Sequence, residues 1–181
     1  KIPGGFIKRE GKPSDNEVLQ GRLVDRSMRP IFPEGFYNDI QIICTLLSHD
    51  KQSDSQAMSL IGASAACLLA GIPTTNVVAG CRIALIEDKL VTFPSVDQLA
   101  ESKLDLFVSG TSSSVLMVES EANEVTEAQM IEAIEAAQKV IREIIVGIKE
   151  LGFAAAKPKV HYKPSTYEDL YEKMKDFASE K

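Results

Sequence analysis

Six of the seven cations in the first thirty residues fall in a pattern that could grip a polyanion. Lys8, Arg9 and Lys12 fall in a glycine-flanked loop, and Arg22, Arg26 and Arg29 recur at i, i+4 and i+7. On a helix that spacing makes one face. A stripe of guanidinium groups suits a row of phosphates. The competing reading is structural, since Asp25 lies within reach and exposed pairs contribute only ~0–1 kcal/mol. The stripe could equally serve a subunit contact or tie its helix to neighbouring strands.

Other chemistry-bearing residues are sparser. Gly110-Thr111-Ser112-Ser113-Ser114 has the composition of a phosphate loop but reads first as a polar hairpin turn. His49 and His161 are isolated, with no metal or triad spacing around them. Asp105 is a lone carboxylate, for which structural use is expected. No catalytic residue and no metal ligand set is expected in this chain.

The cationic segment needs a helix to order it. Ser14 and Glu17 form a capping box, so a helix is expected from about Asp15. Pro30 pushes its predecessor out of helical geometry and should end it. Leu19, Leu23 and Met28 then point into a core.

The 181 residues carry a net charge of −6, with 44% hydrophobic and 25% charged residues, as in a soluble globular protein. The charge is uneven. Residues 1–30 hold seven Lys/Arg against four acids, and the remainder thirteen against twenty-two. Such a chain does not coat nucleic acid indiscriminately, but one local basic field can still steer a polyanion. Cys44, Cys67 and Cys81 lie in apolar segments without C-x-x-C spacing and are expected to be buried free thiols in a reducing, cytoplasmic compartment. No apolar run approaches the ~18 residues of a membrane span, so no membrane partner is expected. The chain opens on a turn without an initiating methionine, and we expect a fragment whose leading strands are absent.

Along the rest of the chain, residues 40–48 form an apolar run of strand length, expected to be a buried strand. Ser53 or Asp54 should cap a helix of small residues ending at Gly71, with Pro73 preventing continuation. Residues 77–86 and 90–93 read as a hairpin, 96–101 as a short helix, and 104–109 with 114–119 as a second hairpin. Met130, Ile131, Ile134, Ala137, Ile141, Ile145 and Ile148 recur at helical steps over 126–151. Gly152 is expected to stop that helix. Residues 157–165 read as a two-proline linker, and Ser165 or Thr166 with Asp169 as the start of a last amphipathic helix. Hairpins and helices in this order favour α+β, with a mixed sheet and helices packed on one face.

The stretches PGGFIKREGKPS, RLVDRSMRPIFPEGF, GASAACLLAGIP and LDLFVSGTSSSVLMVESEANEVTE, in that order, closely resemble the first RNase PH-like core domain of the bacterial polynucleotide phosphorylases. The resemblance implies an RNase PH-like (ribosomal protein S5 domain 2-like) fold over 1–152, a linker over 153–165, and the start of a helical linker domain over 166–181. It implies part of a homotrimeric ring enzyme that degrades mRNA from its 3′ end with inorganic phosphate, releasing nucleoside diphosphates. Single-stranded RNA and other RNA-degradation proteins would be its partners. In that family Mg2+ and phosphate are held by the second repeat, so neither cofactor is expected here.

The residues agree with a repeat that does not cleave. Where the catalytic repeat opens a helix with serines that hold phosphate, this chain has Asp54-Ser55-Gln56. A carboxylate at a helix N-terminus takes the place of an anion and repels one. Where the catalytic repeat has Asp-x-Lys, this chain has Asp105-Leu106-Phe107. Phosphoryl transfer depends on cations around the transferring group. The loop Phe6-Ile7-Lys8-Arg9 resembles the family's basic channel loop of two aromatics and two arginines, with one stacking ring lost at Ile7. Phe6, Lys8, Arg9, Arg22, Arg26 and Arg29 are therefore the expected RNA-binding residues. Two alternatives remain: a catalytic single-repeat phosphorolytic nuclease, and a purely structural assembly module.

Overall fold

The computed structural model describes residues 11–50, 52–163 and 167–179. Helix α1 spans Asp15–Met28 and begins at the expected capping box. The Ser14 amide donates to Glu17 Oε2 at 2.6 Å, and the Glu17 amide donates to Ser14 Oγ at 3.3 Å. Pro30 ends the α-helix, and one 3-10 turn follows over Arg29–Ile31. Leu23, Val24, Ser27 and Met28 are buried. Leu19, expected in the core, is exposed instead, because only the second half of α1 is pressed onto the body.

Helix α2, Ser55–Leu69, ends in a Schellman motif. The Gly71 amide donates to the Leu68 carbonyl and the Ile72 amide to that of Cys67. Gly71 has φ +72°, which a side chain resists.

Strands β1 (Ala79–Ile86), β2 (Lys89–Thr92), β3 (Leu104–Gly110) and β4 (Val115–Ala122) form one sheet in the order β2-β1-β3-β4. All three pairings are antiparallel. Glu87 and Asp88 turn the first hairpin with φ of 47° and 59°, the two positive values of a type I′ turn. Helix α3 is the short Val96–Ala100, and α4 runs from Glu127 to Ala155.

Strand alternation sorts side chains onto two faces. Ala79, Cys81, Ile83 and Leu85 of β1 meet Leu104, Leu106 and Val108 of β3 and the α4 stripe Ala133, Ala137, Ile141, Ile145 and Ile148. Ile131 lies off that stripe and is exposed. On the opposite face, Phe107 and Met117 join Leu23, Met28 and Ile31. Helix α2 feeds both clusters, through Ile61, Ala65 and Leu68 on one side and Ala57, Leu60, Ala63 and Cys67 on the other. The architecture is α+β as expected. Its described strands are antiparallel throughout, and α1 lies on the face opposite α4.

Three further expectations fail for identifiable reasons. Residues 40–48 form no strand, since no ladder partner lies beside them among the described residues. Cys44 is consequently exposed, while Cys67 and Cys81 are buried. Gly152 does not stop α4. It lies inside the helix because a Cβ there would sit 2.5 Å from Leu68 Cδ2, so the glycine lets α2 and α4 approach.

Past α4 the chain is held against the end of α2. The Lys157 amide donates to the Leu69 carbonyl and the Val160 amide to that of Gly71. Helix α5 spans Glu168–Ser179. Its proposed cap at Ser165 or Thr166 lies outside the described residues. No helix among the described residues is long and apolar enough to cross a membrane.

Candidate functional site

Three charges meet where α2 begins. Arg82 is the one cation in the apolar strand AGCRIALI, and it points to the Phe107 face. Asp105 sits on the neighbouring strand, two pairs further along on the same face, where Ala84 is opposite it in the β1–β3 register. Arg82 Nε donates to Asp105 Oδ1 at 2.7 Å, and Nη2 donates to Asp105 Oδ2 at 2.5 Å. This is the two-pronged geometry that a guanidinium offers a carboxylate. From the other side Arg82 Nη1 lies 3.1 Å from Asp54 Oδ1. Side-chain exposure is 17% for Arg82, 17% for Asp54 and 30% for Asp105.

The Asp105 hydrogen bond, helped by the charges of Asp54 and Asp105, holds the Arg82 guanidinium above its ordinary pKa against the effect of burial. Arg82 is thus fully charged and fully neutralised from within. Asp54 occupies the N-cap position of α2, yet its side chain makes no capping bond there. It turns to Arg82, and its Oδ2 is buried without a partner. Ser55, the serine nearest to a phosphate-holding position, donates its hydroxyl to Gln20 Oε1 of α1 at 3.3 Å.

These residues do not fit a phosphate or a magnesium ion. The cation paired there, Arg82, already holds two carboxylates, and those carboxylates hold the cation. Among the described residues no cluster of three or more His, Cys, Asp or Glu has metal-binding geometry.

The expected RNA-binding residues divide in two. Phe6, Lys8 and Arg9 lie outside the described residues. Arg22, Arg26 and Arg29 are all exposed along α1 and its end. Arg29 pairs with Asp25 at 2.6 Å, and Arg26 Nη1 lies 3.6 Å from Glu119 Oε2 on β4. The Asp25 hydrogen bonds raise the Arg29 pKa. Arg22 forms no ion pair among the described residues. Both observed pairs are solvent-exposed and cost little to exchange for another anion. Ser27, on the inner side of the same helix, donates to Ser109 Oγ at 2.8 Å and fixes α1 to β3.

The Gly110–Ser114 run is a turn, as read first from its composition. Thr111 Oγ1 accepts from the amides of Ser113 and Ser114. Helix α4 clasps it from beneath: Gln138 Nε2 donates to the Thr111 carbonyl at 2.7 Å and Arg142 Nε to that of Ser112 at 3.1 Å. His49 and His161 are exposed. Arg82 escaped the sequence reading. The available signal was a lone arginine amid buried strand residues, which must find a carboxylate partner.

Comparison with known proteins follows the same outline. The description "3′ exoribonuclease family, domain 1" matches residues 2–73, and "3′ exoribonuclease family, domain 2" matches residues 76–140. A polyribonucleotide nucleotidyltransferase of Granulibacter bethesdensis is 52% identical over 157 residues, covering 87% of this chain and 22% of the relative. One from a Caulobacter species is 42% identical over 175 residues, covering 97% and 24%. The chain therefore spans about a quarter or less of the length of these relatives. Among solved structures, rice (Oryza sativa) Rrp46 superposes with a TM-score of 0.60 at 12% identity, covering 80% of this chain and 67% of that one, a likeness of fold.

Proposed function

The chain belongs to the 3′ exoribonuclease family of RNase PH-like fold, and from that premise we propose that it is an RNA-guiding, ring-forming repeat of a phosphorolytic 3′→5′ exoribonuclease, without a cleavage centre of its own. In this reading the parent protein is a cytoplasmic, trimeric polyribonucleotide nucleotidyltransferase. It degrades mRNA to nucleoside diphosphates with Mg2+ and inorganic phosphate bound by another repeat, and it meets other RNA-degradation proteins. The basic loop Phe6, Lys8 and Arg9 and the stripe Arg22, Arg26 and Arg29 hold single-stranded RNA by its phosphates. Residues 1–152 form the core, 153–165 a linker, and 166–181 open a helical domain.

One observation carries the non-catalytic part. Arg82, which reaches the N-cap residue of α2, is neutralised by Asp54 and Asp105. Catalysis of phosphoryl transfer rests on preorganised cations whose charge and donors are aimed at the transferring group. A guanidinium held by two fixed carboxylates is not aimed in that way. This also counts against a self-sufficient single-repeat nuclease.

Incubating the chain with poly(A), inorganic phosphate and Mg2+ tests the proposal, with no release of ADP expected. ADP formation at a rate comparable to that of a full-length relative would overturn it.

The pairing of Arg26 with Glu119 and of Arg29 with Asp25 favours a second reading, in which the stripe is structural and the repeat serves assembly alone. Lys8→Ala with Arg9→Ala in the full-length protein separates the two. Unchanged RNA affinity at fixed salt would favour the assembly role.

A further inference from the structure

A second basic segment lies far from the first in sequence. Residues 157–163 read KPKVHYK, with Lys157, Lys159, His161 and Lys163 at alternate positions and no acid among them. In a chain of net charge −6 this is a local reversal of sign. All four side chains are exposed, and none forms an ion pair among the described residues. The segment does not hang free. The amides of Lys157 and Val160 fasten its backbone to the end of α2, leaving the lysine and histidine side chains exposed.

Aromatic rings stand beside these cations. Tyr162 meets Phe36 edge to face, with ring centroids 6.1 Å apart at 84°. Tyr37, next in the chain to Phe36, is 84% exposed and leaves its ring open to solvent. A groove of about 330 Å³ runs between the segment and the loops at Pro33 and Pro73–Thr75, bordered by Pro33, Pro73, Thr74, Lys159, His161 and Tyr162. None of the residues lining it is acidic. Its size falls at the low end of the ~300–1,000 Å³ of small-ligand sites.

Positive charge along an extended backbone, with rings interleaved and a shallow cleft beneath, is what single-stranded nucleic acid requires. Phosphates take the cations, and bases stack on the rings without regard to sequence. A folded acidic protein would find the cations but leave the cleft empty. An apolar peptide would desolvate the lysines.

We propose that the strap 157–163, with Tyr37, Phe36 and Tyr162, is a single-stranded RNA-binding track distinct from the amino-terminal cations. The track receives RNA through the phosphates at Lys157, Lys159 and Lys163 and through base stacking at Tyr37 and Tyr162. It rests on the reading of this chain as an RNA-handling repeat and adds a second contact region to it.

The test is fluorescence anisotropy of a labelled oligoadenylate with the full chain over a range of salt. Lys157→Ala, Lys159→Ala and Lys163→Ala together should weaken binding and flatten the log K against log salt slope by about 2, from ~0.7 per lost single-strand contact. Arginine at the same three positions should restore both. Tyr37→Ala, which removes an exposed ring and leaves the core intact, should weaken binding about five-fold or more. Unchanged affinity and slope in the triple-alanine and Tyr37→Ala variants, with loss confined to Lys8→Ala/Arg9→Ala, would overturn the track alone. No binding by the unaltered chain at low salt would overturn the track and the RNA-handling reading together. Equal displacement by heparin combined with an inert Tyr37→Ala would reduce the strap to a generic polyanion patch and overturn the stacking role.

Discussion

Arg82 concentrates the chemistry of this chain in one side chain. It supplies the counter-charge of two part-buried carboxylates, at 17% and 30% exposure. Removing one member of such a set leaves like charges facing each other in a poorly solvated place. Arg82→Met should therefore lower stability by about 3 kcal/mol, the lower end of the range for broken buried pairs, read from urea unfolding. Asp54→Asn should cost less, because the two-pronged bond to Asp105 still compensates the Arg82 charge. If Arg82→Met unfolds at the same urea concentration as the parent, the three charges are not coupled as described. The thiols illustrate the same dependence on environment. Burial pushes Cys81 up to about 12, so it remains protonated and unreactive under ordinary conditions.

At the scale of elements, ends were easier to read than partners. The capping box at Ser14, the Schellman glycine at Gly71, the type I′ turn at Glu87-Asp88 and the α4 stripe are all local rules, and each left its mark within a few residues. Residues 40–48 have every local attribute of a strand and still form none, because a ladder requires a neighbour that composition cannot supply. Gly152 misled for the opposite reason: its cause is Leu68, more than eighty residues away. Arg82 and its partners were equally hidden, since Asp54 and Asp105 become neighbours only through the β1–β3 register and the placing of α2. The α1 cap gives a sharp test. Ser14→Ala should destabilise the helix by ~1 kcal/mol. The Ser14 amide and hydroxyl lower the Glu17 pKa below its usual 4.5. A depressed carboxylate stabilises the fold above its unfolded pKa and loses that contribution as pH falls through the folded value. Helicity of α1 should therefore decline on acidification below about pH 4.5, and Glu17→Gln, which keeps a capping side chain but cannot titrate, should remove that part of the dependence. A pH profile identical in both proteins would contradict the cap.

For the whole molecule, the distribution of charge matters more than its total. An acidic body carries one basic segment at its start and another at 157–163, while the cation between the sheet and α2 is silenced internally. The last point predicts how the protein responds to the smallest anion of its family's chemistry. A phosphate site filled to a hundred times its dissociation constant would add about 2.7 kcal/mol to stability. Millimolar inorganic phosphate should instead leave the melting temperature where an equal ionic strength of chloride puts it. A phosphate-specific rise would mean that Arg82 can release its carboxylates. The seam at Gly71 has a different consequence. Its amide closes α2 while its carbonyl receives the Val160 amide, so the departing chain takes its heading from the end of α2 and not from α4, the helix it has just left. Adding or deleting one residue between Ala156 and Val160 would thus re-aim everything downstream, even with both helices untouched.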